Sequence, residues 1–257
     1  MIISYKHKYL FVEFPHTGTT AIRRELCGLY DGVSILGKHA NYSQFLKVAS
    51  NEEKQFFVFS CIRNPLDLVV TKYFKYKTDH KGTYTDPRKR AKHRGIGHYI
   101  DKKIFDFVEK TDADFSTFFM TFYRIPYSSW TTLNHKDFDF IIRFENLADD
   151  FAEALNLIGI KPKRPLPAVN KTGARKRDFA EYYSSEAIER AKRVFGPYMK
   201  EWSYEFPPDW GAVSISRWNQ MEFELASFLM KIYWRHLRNK KWMWRKDKIY
   251  EVGTEGQ

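Results

Sequence analysis

Three stretches of the chain hold residues whose types and spacing suit the chemistry of anions. The first is Pro15-His-Thr-Gly-Thr-Thr20, directly behind the apolar run Tyr9-Leu-Phe-Val12. A glycine-bearing turn between a buried strand and a helix aims several backbone N–H groups at one spot on the positive end of the helix dipole, which makes an anion site. Thr17, Thr19 and Thr20 add hydroxyls to it. A Walker loop would read G-x-x-x-x-G-K-[ST]. Here Gly18 is the only glycine, and His16 stands where such loops carry a lysine. An ordinary ATP or GTP site is therefore disfavoured. A plain helix cap is the alternative reading.

The second stretch is Cys61-Ile-Arg-Asn-Pro-Leu-Asp-Leu-Val-Val-Thr-Lys-Tyr73. Arg63 ends an apolar strand, and Thr71 follows eight residues on, about two turns into the next helix. In a parallel sheet both loops open at the carboxyl ends of the strands, where ligands of open α/β sheets bind. Two anion sites would then flank one crevice, which suits a ligand with phosphates at both ends. The competing reading makes Arg63 a structural ion-pair partner. The third stretch is basic: residues 161–177 carry seven Lys and Arg and no acid. Outside these three, residues 79–98 gather Lys81, Arg88, Lys89, Arg90, Lys92, His93 and Arg94.

The elements that must position these residues are legible as periodicity. Residues 9–14 predict a short buried strand, 15–19 a loop, and Ile22, Leu26 and Leu29 at i, i+4, i+7 a helix to about residue 30. Residues 33–36 predict a second strand, 42–49 a short helix, and 55–62 a continuous apolar strand of the doubly covered kind. Pro65 suits the first turn of the helix that follows. Residues 79–98 lose periodicity and predict a long mobile loop. Helices are expected at 101–110, 114–123 and 147–158, a strand at 138–144, and a helix at 184–195 ended by Gly196-Pro197. Alternating strands and helices give an α/β fold with a central parallel sheet flanked by helices.

Beyond residue 208 the composition shifts. Trp218, Met221, Leu225, Phe228, Leu229 and Ile232 trace one helical face, and Trp234, Trp242 and Trp244 mix with Lys and Arg. We expect an α/β domain over 1–208 and a helical extension over 209–257. That helix docks on the parent domain or a second subunit, or lies on a membrane surface as basic aromatic helices do.

Composition sets wider bounds. At 257 residues and 43% hydrophobic, the chain can bury a core. Forty-three Lys and Arg against 31 Asp and Glu give a formal charge of +12, which favours an anionic partner without naming it. Cys27 and Cys61 have no metal-type spacing and read as buried free thiols of a reducing compartment. No metal cluster is evident. With no leader-like start and no run of 18 apolar residues, a soluble cytoplasmic protein is expected.

Taken together the motifs resemble the sulfotransferases that use 3′-phosphoadenylyl sulfate (PAPS), in particular the carbohydrate branch. Pro15 to Thr20 resemble the loop that grips the 5′-phosphosulfate, and Arg63 to Tyr73, with Thr71 at the serine position, the segment that holds the 3′-phosphate. Lys38-His39-Ala-Asn-Tyr42, Ile142-Arg-Phe-Glu-Asn-Leu147, Val169-Asn-Lys-Thr172 and Trp202-Ser-Tyr204 continue the likeness in order, over roughly residues 8–208. The sequence departs from the pattern at Leu68, in place of an arginine, and at His16, in place of the lysine that neutralises the bridging oxygen.

The resemblance implies a P-loop-type fold and in-line sulfuryl transfer from PAPS to a hydroxyl or amine of a glycan or other small acceptor, with no metal. It makes His39 the candidate base and His16 the hydrogen-bond donor to the bridging oxygen, with His16 itself as the alternative base. The basic residues of the two loops, Arg88 to Arg94 and Lys161 to Arg177, are expected to close over the cofactor or bind an acidic acceptor, with Lys171 and Arg175 as the cofactor contacts and a solvated charge run as the alternative. Two other readings stay open: a non-catalytic nucleotide binder of the same fold, and a basic nucleic-acid-binding protein, which the charge favours and no motif supports. A nucleotide kinase is disfavoured by the missing lysine. Residues 216–245 are the stretch for a peripheral membrane or homo-oligomer contact.

Overall fold

A computed structural model describes residues 1–92, 96–167 and 177–234. Five strands form one sheet: β1 (Ile2–Ser4), β2 (Tyr9–Val12), β3 (Val33–Ser34), β4 (Phe57–Ile62) and β5 (Phe140–Arg143). The helices of the first half are α1 (Thr19–Leu29), α2 (Tyr42–Leu46), α3 (Pro65–Lys77), α4 (Pro87–Lys92) and α5 (Ile96–Thr111). Those of the second half are α6 (Phe115–Phe122), α7 (Leu147–Leu157), α8 (Ser185–Glu201) and α9 (Arg217–Ile232). The chain divides into two compact units, one of residues 1–63, 129–170 and 226–257 and the other of 64–128 and 171–225.

The first unit holds the sheet, in the order β3-β1-β2-β4-β5. β2, β4 and β5 pair in parallel, as the alternation of strand and helix predicts, with Val12 opposite Ser60 and Ile62 opposite Arg143. β1 was not foreseen. It runs antiparallel to both β2 and β3, at three residues too short to show a periodicity of its own. Two clusters cover the sheet. One packs Ile22, Leu26, Phe151 and Leu155 from α1 and α7 on Phe11, Phe59 and Ile142; the other sets Phe14, Tyr42, Phe45 and Ala49 against Leu10, Val12 and Val58. Among the described residues no helix is long and apolar enough to cross a membrane.

Cys61 is buried in β4, and burial pushes its thiol well above the ordinary value. Cys27 corrects the expectation: it is exposed, because the inward face of α1 is Ala21, Ile22, Glu25 and Leu26 and Cys27 falls to the side of it.

His135, absent from every motif, is the buried histidine of this unit. Its Nε2 lies 3.1 Å from the carbonyl of Cys61, and its ring packs against Phe14 and Phe138. Burial lowers its pKa to about 4. A histidine whose folded pKa is depressed contributes stability that is fully present above its unfolded value near 6.5 and is lost as pH falls through about 4. The group's share is about 3 kcal/mol across that window. Urea unfolding at pH 7 and at pH 4.5 is expected to show this loss, and His135→Gln should flatten it. Equal pH dependence in the two proteins would contradict the assignment.

The second unit is helical, built on Leu66, Val69, Val70 and Tyr73 of α3 packed with Phe115, Phe118, Phe119 and Phe195. Asn64 caps α3 by accepting from the amide of Leu66 at 2.9 Å, and Pro65 takes the first helical position as its fixed φ suits. The Tyr73 hydroxyl donates to the Ala113 carbonyl at 2.9 Å.

Residues 79–98 correct the predicted loop in part, for what is described there includes α4 and the start of α5, after a tight turn at His80–Gly82 with Lys81 at φ +60°. Tyr84 is the anchor that hydropathy missed, buried and stacked on Phe105 at 4.9 Å, with Asp79 accepting from its amide. α8 likewise runs on through Gly196-Pro197 to Glu201. Its buried Val194, Phe195, Tyr198 and Met199 hold it across the proline, and a Cβ on Gly196 would meet Ile215 at 3.0 Å.

The six residues that trace the apolar stripe of α9, Trp218 to Ile232, face solvent, which goes against packing of the stripe on the parent domain and leaves the second-subunit and membrane-surface readings as they stood; Phe223 is the buried residue of that helix. At 100° per residue Phe223 lies opposite the stripe, so one large ring anchors the helix and leaves the stripe outward. Trp242 and Trp244 lie outside the described residues.

Candidate functional site

The site grows from the carboxyl ends of β2, β4 and β5, which stop side by side. Loop 15–20 leaves β2, Arg63 follows β4 and Phe144 follows β5, so parallel pairing alone brings these three together in the first unit.

Gly18 is the N-cap of α1 at φ +77°, a left-handed conformation, and a Cβ there would lie 2.7 Å from Leu147 Cδ2 and 3.2 Å from Phe144 Cδ2. Both conformation and space therefore select glycine. The helix behind it has no side-chain cap and no acid in its first turn. Its leading N–H groups have no partner within the helix, which leaves the positive end of the dipole open to an anion.

The hydroxyls of Thr17 and Thr19 both donate to the carbonyl of Phe14, at 3.0 and 3.1 Å. They brace the turn rather than reach outward. Thr20, half-buried, is the hydroxyl with no such brace among the described hydrogen bonds.

Arg63 is nearly buried and donates from Nη1 to the carbonyl of His16 at 3.0 Å, while its guanidinium lies 4.0 Å from the centre of the Phe144 ring. The arginine is thus fastened to the loop and held flat on an aromatic face. This gives the segment 142–147 its purpose: Phe144 carries Arg63 and Leu147 closes on Gly18. His16 itself sits at φ +69°, so the loop turns at two successive left-handed positions separated by Thr17.

His39 Nδ1 is 3.2 Å from the backbone carbonyl of Glu13, the residue two before the loop. A carbonyl only accepts, so Nδ1 must carry the ring proton and Nε2 keeps its lone pair. Partial desolvation holds the pKa of His39 below the ordinary histidine value, though the ring keeps a solvent-exposed side. At neutral pH it is an uncharged imidazole with a free basic nitrogen, the form a proton acceptor needs. Glu13 was missed by sequence reading. It is fully buried, its carboxylate pairs with Arg23 of α1, and its carbonyl orients His39.

Thr71 belongs to the second unit, buried on α3, and Leu68 on the same helix is half-buried. Lys171, Arg175 and the segment 169–172 lie outside the described residues. No group of acids, histidines and cysteines able to hold a metal occurs among the described residues.

A parallel strand, a glycine turn onto an uncapped helix and an arginine locked to that turn from the next parallel strand place the chain in the P-loop-type α/β class. The particular family is the sulfotransferase family: its model matches residues 1–202, four-fifths of the chain, and the chain belongs to it. No curated protein matches the chain, and no solved structure does. Membership supports a transferase acting on sulfuryl groups.

Proposed function

We propose that this protein transfers the sulfuryl group of PAPS to a hydroxyl or amine of a glycan or another small acceptor by in-line displacement. The observation that carries the proposal is the turn at Gly18, closed by Leu147 and clamped through His16 by Arg63, on an uncapped helix N-terminus. Such a turn fits a doubly charged phosphosulfate group without a Walker lysine. Bound there, PAPS would supply the sulfuryl group and a bisphosphate leaving group.

In this reading the amides at the start of α1 hold the phosphosulfate, and His39 Nε2 accepts the acceptor's proton as the new S–O bond forms. His16 donates to the bridging oxygen as the old S–O bond breaks. The family resemblance assigns Thr71, Lys171 and Arg175 to the nucleotide, Thr71 and Arg63 to its 3′-phosphate.

Calorimetric titration tests the donor assignment. Adenosine 3′,5′-bisphosphate is expected to bind at least about tenfold more tightly than ATP, and absent or equal binding would remove the proposal. The substitution at His16 favours one second reading, a binder of this fold that has lost turnover. Release of adenosine 3′,5′-bisphosphate from PAPS in the presence of an acceptor discriminates against it. His16→Lys is expected to keep or raise turnover and to lose less of it at alkaline pH, because an ammonium stays charged where an imidazole does not. An inactive lysine variant with unchanged nucleotide affinity would make His16 the base.

A further inference from the structure

A cavity of about 260 Å³ opens in the first unit, apart from the residues assigned above. Asn41 and Ser43 come to it from the start of α2, Asn134 and Asp137 from the segment before β5, and Lys231 and Trp234 from the end of α9; two leucines complete it. Two observations tie it to the donor loop. Asn41 is two residues beyond His39, which is fixed to the Glu13 carbonyl. Trp234 stacks on Trp130 at 4.3 Å and 12°, and Trp130 meets the ring of Phe14 edge-on at 5.6 Å. The aromatic wall of the cavity is therefore two ring contacts from Phe14, the residue just before the loop.

The lining mixes one indole and two leucines with two amides, a hydroxyl, a carboxylate and an ammonium. That set offers donors and acceptors around an apolar surface, the pattern that a ring carrying several hydroxyls requires, since each hydroxyl both donates and accepts. Asp137 and Lys231 offset each other in charge, which favours a neutral ring over a phosphate or an amine. The volume suits one such ring rather than a nucleotide. Stacking on Trp130 fixes the indole before any ligand arrives, so ordering it costs little on binding. Lys231 and Trp234 lie beyond residues 1–202, so this wall is an addition of this chain to the family domain.

We infer that the cavity is a subsite for a neutral sugar residue of the acceptor, which makes the acceptor a glycan; its role toward an acceptor rests on the function proposed above. Saturation-transfer NMR with a panel of neutral disaccharides (maltose, cellobiose, lactose and N,N′-diacetylchitobiose) reads it directly, with adenosine 3′,5′-bisphosphate titrated into the same samples. At least one disaccharide is expected to bind the wild type, and Trp234→Ala to weaken it at least about tenfold, with Trp234→Phe within about threefold of wild type. The exposed Asp137→Ala should weaken it about fivefold, and nucleotide affinity should stay unchanged in all three variants. No binding by the whole panel, or wild-type binding in both alanine variants, overturns the subsite. Loss of sugar binding with nucleotide binding intact would remove this inference alone, whereas sugar binding without nucleotide binding would remove the donor assignment and leave the subsite standing.

Discussion

His39→Asn is expected to lower turnover by about two to four orders of magnitude and to leave the affinity for adenosine 3′,5′-bisphosphate unchanged. Asparagine is the informative replacement because its amide nitrogen falls near the position of Nδ1 and can still donate to the Glu13 carbonyl. What it lacks is Nε2. The loss would then belong to proton transfer rather than to a displaced backbone. The pH profile supplies a second readout. A base must be unprotonated, and partial desolvation holds His39 below the ordinary histidine value, so the wild type keeps its activity until pH falls past that lowered pKa and then loses it. The variant should show no such limb. Turnover within about threefold of wild type would exclude His39 as the base.

The scaffold was legible where one period ran long enough to be unambiguous. Phe57 to Ile62 is apolar but for Ser60 because β4 lies inside the sheet and is covered on both faces, and Ile22, Leu26 and Leu29 keep a helical spacing because α1 packs on that sheet. β1 escaped because three residues carry no period, and the helical part of residues 79–98 escaped because one ring anchors it. Tyr84 on Phe105 orders a stretch that composition alone marks as a charged loop.

Pro197 misled for a related reason. A local rule about helix ends was outweighed by four buried neighbours in the same turn and a half. α9 shows the reverse case, in which the apolar stripe was visible but the sequence could not say which face Phe223 would win. At the site, residue types were readable and contacts were not. Arg63, Gly18 and the 142–147 segment stood out separately, yet only parallel pairing of β4 with β5 shows that Phe144 carries the arginine and Leu147 closes on the glycine. Glu13 and His135 gave no signal because each acts through contacts with residues distant in sequence rather than through a motif.

Gly18→Ala is expected to weaken binding of adenosine 3′,5′-bisphosphate by about ten- to a hundredfold, the second large effect, and for two separable reasons. At φ +77° an alanine pays about 1–2 kcal/mol for the left-handed conformation. Its Cβ would also lie 2.7 Å from Leu147 Cδ2, closer than carbon atoms approach, so either the leucine or the loop must move. The loop is the softer partner in one respect and the stiffer in another: it is braced by the hydroxyls of Thr17 and Thr19 on Phe14 and held by Arg63 on His16. A shift large enough to clear Leu147 therefore disturbs the amides proposed to hold the anion. Adding Leu147→Ala removes the collision and not the backbone cost, so the double variant should recover part of the lost affinity. Recovery to the wild-type level would mean that space alone selected the glycine, and undiminished binding by Gly18→Ala would place the anion somewhere other than this turn.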